Sequence, residues 1–202
     1  FTAEGLAPTI NAVELVGKGS EADSTDILKQ STSIEKIKFT EVGVFQGDRL
    51  VGWLDENEAR GYSFITGSVR MTSGHNTDES GSEITTEIIK ATSRIKAAVT
   101  DDQPRIDVAV KVKYTVNQVK GPLDVSKIEN LEKINRLLES RISDQCNQSV
   151  RKAQELKADV FGFGERLHAK DPAYWKTVKD SWSEVFATAR VQITVKAELV
   201  TI

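Results

Sequence analysis

The residues best suited to chemistry are few and scattered. His75 stands close to Asp78 and Glu79, a grouping that invites a metal reading. A metal centre needs three or four convergent ligands of fixed geometry, and only these cluster. The acidic residues also lack the spacing of a calcium loop. A solvated polar loop is the simpler expectation. His168 lies near Glu165 and Asp171, but no activated Ser or Cys stands beside it for a general base to serve. Cys146, the single cysteine, falls among apolar residues at helical spacing, so a buried small hydrophobe is expected rather than a nucleophile. Gly162 and Gly164 lack the further glycine and lysine of a phosphate loop and read as a bend between helices, with Phe161 and Phe163 packed inward. Asp101 and Asp102 precede Pro104 and read as a solvated turn. No catalytic constellation, metal set or cofactor site follows, so no catalytic residue, no metal and no cofactor is expected.

The tryptophans are a different kind of signal, since an exposed one marks a partner surface and a buried one anchors a core. Trp53 and Trp182 are expected in the core. Tyr174 and Trp175, near the helix bend, are the candidate partner-binding residues.

The elements that would position these residues follow from periodicity. Pro8 to Val16 can form a short strand, and Gly17 to Ser33 reads as a loop. Ile37–Phe45 and Leu50–Leu54 read as a hairpin around Gln46-Gly47-Asp48-Arg49. Asp55, with Glu58 three residues on, forms a capping box for a helix that Gly67 can close. Residues 68–82 are polar and Gly/Ser-rich and are expected as a mobile loop. Residues 83–100 and 105–116 follow as two long strands joined at Asp101–Pro104. In the second, Ile106, Val108, Val110, Val112, Tyr114 and Val116 alternate with polar residues, so one face is buried and one wet.

Apolar residues from Val125 to Leu156 recur at steps of three or four, which predicts a helix over 124–157 capped by Asp124. At ~1.5 Å per residue that helix is roughly 50 Å long. The alternating strand spans about 40 Å at ~3.3 Å per residue, so the helix can lie along the sheet. Asp171-Pro172 starts a further helix to about Ala187, and a clean alternating strand ends the chain. The expected fold is α+β: a mostly antiparallel β-sheet with long α-helices packed on one face.

Bulk properties fit a compact domain. The 202 residues are 39% hydrophobic and 28% charged, with a formal net charge of −3. A chain of this size buries roughly 70% of its unfolded surface without disulfide or metal. The acidic balance disfavours a nucleic-acid domain and a polybasic membrane-surface patch. No apolar run approaches the ~20 residues that span a bilayer. The chain begins at Phe1 and holds one methionine, Met71, which reads as a piece of a longer protein.

Several segments together resemble the C-terminal domain of the C subunit of bacterial spore germinant receptors. They are Val44-Phe45-Gln46-Gly47-Asp48-Arg49-Leu50-Val51-Gly52-Trp53-Leu54 with Glu58-Ala59-Arg60-Gly61, the hairpin at 83–116, Ala158 to Glu165 with Tyr174, Trp175 and Trp182, and the last strand. The resemblance covers residues 39 to 202, and Val51–Leu54 and Asp159–Glu165 are its most specific parts. The polar loop at 70–82 departs from it. It implies residues 1–36 as a leading segment, the exit from a preceding domain, and 37–202 as the family domain.

The resemblance further implies a lipoprotein subunit of a three-protein receptor, at the outer face of the spore inner membrane. It would be held there by a lipid anchor upstream of this chain, with the membrane-embedded A and B subunits as partners, and be required for germination in response to nutrients. An interaction and scaffold role is the leading expectation, and a nutrient-binding module is the alternative. An enzyme acting on spore envelope material would need a paired acid and base that the sequence does not offer.

Overall fold

The structure is a computed structural model that describes residues 5–16 and 36–201. The expected loop at Gly17–Ser33 lies outside the described residues.

Two sheets carry the fold. The small sheet has the order β1-β2-β3, with β1 Thr9–Val16, β2 Lys36–Gln46 and β3 Arg49–Leu54, all antiparallel. The large sheet has the order β4-β5-β6-β7, with β4 Thr72–Thr77, β5 Glu83–Thr100, β6 Gln103–Lys120 and β7 Arg190–Thr201. Its pairs are antiparallel except β6 with β7, which run parallel. Among the described residues five α-helices complete it: α1 Glu56–Thr66, α2 Ile128–Glu155, α3 Phe163–Lys170, α4 Pro172–Val178 and α5 Trp182–Thr188. The fold is α+β, as expected.

Local signals held closely around the first hairpin. Gly47 takes φ 64° in the turn. Asp55 Oδ1 accepts from Glu58 N while Glu58 Oε2 accepts from Asp55 N, and Gly67 closes α1 at φ 71°. Each exchange satisfies a backbone donor that a helix end leaves free.

Four expectations need correction. The polar run at 68–82 contains a strand, β4, which pairs with β5 from Thr72↔Ile88 to Thr77↔Glu83. Its Gly, Ser and Asn residues have little strand propensity, so the ladder offered by β5 decides its conformation. The turn of the long hairpin is only Asp101-Asp102, both at positive φ, with Gln103 and Pro104 already in β6; two such residues match the twist of the strands. The long helix starts at Ile128, not at 124. Asp124 binds Ser126 N and Oγ instead, a local turn that competes with helix capping and holds its carboxyl below the usual range. Finally, the last helical stretch is broken by a 3-10 turn at Lys179–Ser181, which turns Trp182 inward.

The core lies between the large sheet and α2. Ile106, Val108, Val110, Val112 and Tyr114 are at most 1% exposed, and Tyr114 Oη donates to Asn135 Oδ1 of α2 at 2.8 Å. α1 crosses α2 at Gly61. A Cβ there would stand 2.1 Å from Gln145 O, so only glycine permits this approach. At its far end α2 is tied to α5, where Gln154 Nε2 donates to Phe186 O and Ala189 O. That clamp sets the point from which β7 enters the sheet beside β6.

Candidate interaction surfaces

Asp159 organises the segment that carries the aromatic cluster. Its carboxylate is 3% exposed and accepts from Gly164 N at 2.7 Å, Phe161 N at 3.1 Å and Trp182 Nε1 at 3.1 Å. Burial pushes its pKa up, and the N–H donors pull it partly back. Its carbonyl accepts from Ala7 N, which fixes the stretch leading into β1. Gly162 turns at φ 71°, and α3 begins beside the buried carboxylate. Phe161 and Phe163 stack at 5.0 Å inside, as the sequence suggested for these two residues. The family resemblance marks the segment Asp159–Glu165, but no role for the Asp159 carboxylate follows from the sequence, because one carboxylate inside Ala-Asp-Val-Phe carries no local sign that it will be buried.

Trp175, expected at a partner surface, is 2% exposed. It packs edge-on against Trp182 at 5.3 Å and stacks with His168 at 5.7 Å. The glycines Gly5 and Gly164 lie against its ring, each so near that a Cβ would reach it within 3.0 Å. Trp175 therefore acts in the core. Tyr174 is half-buried, and its hydroxyl donates to Asp102 O at the tip of the long hairpin.

Trp53 errs in the opposite direction. Expected inside, it is 43% exposed. A β-bulge explains this: Val44 pairs with Gly52 and Phe45 with Leu50, so Val51 is an extra residue. Val51 packs toward the core and Gly52 lies against Leu156, while Leu50 and Trp53 are left on the outer face. Both lean over Gly43, where a Cβ would stand 3.0 Å from the Trp53 ring and 3.3 Å from Leu50. Ile10 of β1 pairs with Gly43 from the other side and is 61% exposed. Ile10, Leu50 and Trp53 thus form an exposed apolar patch on the small sheet.

The remaining candidates do not converge. His75 Nδ1 lies 3.1 Å from Thr85 Oγ1, and Asp78 is engaged by Ser80 and Ser82 in its own turn, with Ser80 foremost in lowering its pKa. Among the described residues no group of three His, Cys, Asp or Glu side chains is placed to hold a metal. Cys146 is fully buried beside Gly61 O, and burial pushes its thiol up to about 12. No helix among the described residues is long and apolar enough to cross a membrane.

An open cleft of about 490 Å³ lies between α1, the small sheet and the approach to β4. Arg60, Arg70, Glu41 and Glu56 stand around it, with Phe64, Val69 and Met71 as its apolar lining.

Comparison with known proteins places this architecture. The family model described as "Spore germination B3/ GerAC like, C-terminal" matches residues 40–202. Spore germination protein KC of Bacillus subtilis (strain 168) is 24% identical over 204 residues, covering 98% of this chain and 49% of that protein. Spore germination protein B3 of the same organism is 27% identical over 156 residues, covering 75% of this chain and 41% of that protein. The chain thus spans about half the length of these relatives or less. A solved structure described as "Crystal Structure of the GerBC protein" superposes with a TM-score of 0.77 at 24% identity, over 97% of this chain and 57% of that one. It shows the same fold. With the match extending from within β2 to the end of β7, the chain belongs to the spore germination B3/GerAC-like, C-terminal family.

Proposed function

We propose that this chain is a non-enzymatic interaction module of a spore germination protein, one that couples subunits of a nutrient-germinant receptor. The observation that carries the reading is the exposed Ile10, Leu50 and Trp53 patch over Gly43. Aromatic anchors ringed by smaller apolar groups are the usual centre of a protein interface, and here a bulge holds the anchor outside the core. The relatives' printed names support the link to germination. The partners in this reading are the membrane-embedded A and B subunits. The full-length protein would be lipid-anchored at the outer face of the spore inner membrane. Tyr174, tethered at the hairpin tip, is a second candidate contact.

The test is an amide chemical-shift titration of this chain with the soluble domain of its cognate A subunit. Shifts confined to β1, β2 and β3, abolished by Trp53→Ala, are expected. That variant should cost roughly 1 kcal/mol of stability or less, since the ring is half in water. Saturable shifts that leave the small sheet untouched, or unchanged binding by Trp53→Ala, would sink the proposed face.

One observation favours a second reading, a nutrient-binding module. The cleft beside α1 has the size of small-molecule sites, and residues of both charge signs stand around it. Calorimetric titration with amino acids and sugars tests it. Binding that is lost in Arg70→Ala would support this reading, and no heat with any of them would remove it.

A further inference from the structure

The large sheet sorts its charges by face, and the face turned away from α2 is strongly cationic. Strand parity places the buried β6 residues under α2, so Lys111 and Lys113 stand exposed on the other side. Across the strands, like charges face one another directly. Lys90 pairs with Lys113, Lys111 with Lys196, and Arg105 with Arg190. Arg94 and Lys96 occupy the rows between. Two carboxylates answer these cations on the same rows: Asp107, 3.2 Å from Arg105, and Glu198, 3.7 Å from Lys113. Lys90, Arg94, Lys96, Lys111, Arg190 and Lys196 form no ion pair with a described residue.

This arrangement works against the fold. Like charges directly opposite in a sheet are destabilising, and a chain with a net charge of −3 has acidic residues that could have been set among them. Three opposed pairs on one face therefore ask for an anionic partner. The shape of the array narrows which one. It runs along nine residues of β6 and across three strands, roughly 25–30 Å by 10 Å. The cleft of about 490 Å³ lies elsewhere, beside α1. The rows hold Lys, Arg, Thr, Ala, Gln, Asp and Glu, with no aromatic ring on which a base could stack. Beside the row of Lys90, Lys113 and Glu198, two bulges leave the aliphatic Ile89 and Val200 exposed at 37% and 52%. An open cationic array flanked by exposed aliphatic side chains matches a bilayer interface, where headgroup phosphates lie over hydrocarbon.

We propose that this face docks on a membrane surface through anionic phospholipid headgroups. It is independent of the Trp53 patch, which belongs to the other sheet. The attraction is diffuse, so it grows with the density of negative lipid and falls with ionic strength.

Vesicle co-sedimentation of this chain tests the proposal, with phosphatidylcholine vesicles compared with vesicles enriched in phosphatidylglycerol. Binding to the anionic vesicles alone is expected, and it should disappear at high salt. The double variant Lys111→Glu/Lys196→Glu should bind at least about tenfold more weakly, since each cation near such a surface carries a substantial share of the affinity. Arg136→Glu is the control, an exposed cation of α2 whose ion-pair partner among the described residues is Glu132; it should bind like wild type. If the reversal does not fold by circular dichroism, Lys111→Gln/Lys196→Gln gives the same comparison. Three results would each overturn the proposal. These are no wild-type binding to anionic vesicles at low salt, equal binding by the substituted chains, and retention by poly-glutamate or an oligonucleotide without any by vesicles.

Discussion

Glu139 and Arg141 stand two residues apart on α2 and bind opposite edge strands of the large sheet. Glu139 Oε1 accepts from Ala197 N of β7 at 3.0 Å. Arg141 Nη1 donates to His75 O and, at 2.7 Å, to Asn76 Oδ1 of β4. Two steps along a helix point to nearly opposite sides. The helix that covers the sheet therefore also caps both of its edges, with an anion for an N–H and a cation for a C=O. This blunts strands that would otherwise offer open ladders to other chains.

Removing either cap has a defined cost. Glu139→Ala frees an amide on β7 and should lower stability by about 1–2 kcal/mol, and Arg141→Ala, which strips buried Asn76 of its partner, by about 1–3 kcal/mol. Urea unfolding measures both. Sedimentation at rising concentration should show Glu139→Ala self-associating where wild type does not. Equal stability and equal behaviour would show that the edge contacts are incidental.

Asp159→Ala should cost about 3–5 kcal/mol, because three buried N–H groups lose their acceptor together. Asp159→Asn should also destabilise, since both carboxylate oxygens accept and an amide must present a donor to one of those N–H groups. The pH dependence has a sign. The folded pKa is raised above the ordinary 3.8. Between the two values the native state holds more protons than the unfolded one, so the contribution of Asp159 falls as pH rises and levels off above the folded pKa. The wild-type minus Asp159→Asn difference, followed by urea unfolding through the acid range, isolates it. A difference that grows with pH would contradict the assignment.

Gly61→Ala should be among the most damaging single changes. The new methyl would meet the backbone of α2 at Gln145, which cannot swing aside as a side chain can. A loss of about 3 kcal/mol or more is expected, read from thermal or urea unfolding. The same crossing encloses Cys146. Its thiol, pushed up to about 12, stays protonated at neutral pH and should not react with a thiol reagent until the protein unfolds. Prompt labelling of the folded protein would place that thiol in reach of solvent.

Lys111→Glu should stabilise the isolated chain by about 0.5 kcal/mol, by replacing repulsion of Lys196 with attraction. A variant that gains stability while weakening adhesion to anionic vesicles would show that the like-charge rows are kept at the expense of the fold. A loss of stability would mean that Lys111 has a structural role of its own.

Much of the architecture was legible locally. Asp55 and Glu58 carry the start of α1 because a capping box closes within four residues. The alternation in β6 and the apolar stripe of α2 predict a covered sheet, because burial on one face selects period two in a strand and near four in a helix. Phe161 and Phe163 read as inward-packed from the glycine bend between two helices, and both are buried.

What failed depended on partners distant in the chain. β4 exists because β5 offers it a ladder, not because Ser73-Gly74-His75-Asn76 prefers to extend. Trp53 lies outside because one extra residue, Val51, resets the face on which Leu50 and Trp53 emerge, and Trp175 lies inside because Gly5 and Gly164 leave room beside it. The sequence by itself determined the capped helix, the strand periods and the family. Only the tertiary structure decided that β7 runs parallel to β6, and so that Lys196 stands opposite Lys111 and Arg190 opposite Arg105. Net charge is a sum over the chain and holds no information on register. Pairing between strands separated by α2 to α5 is what gathers those cations onto one face.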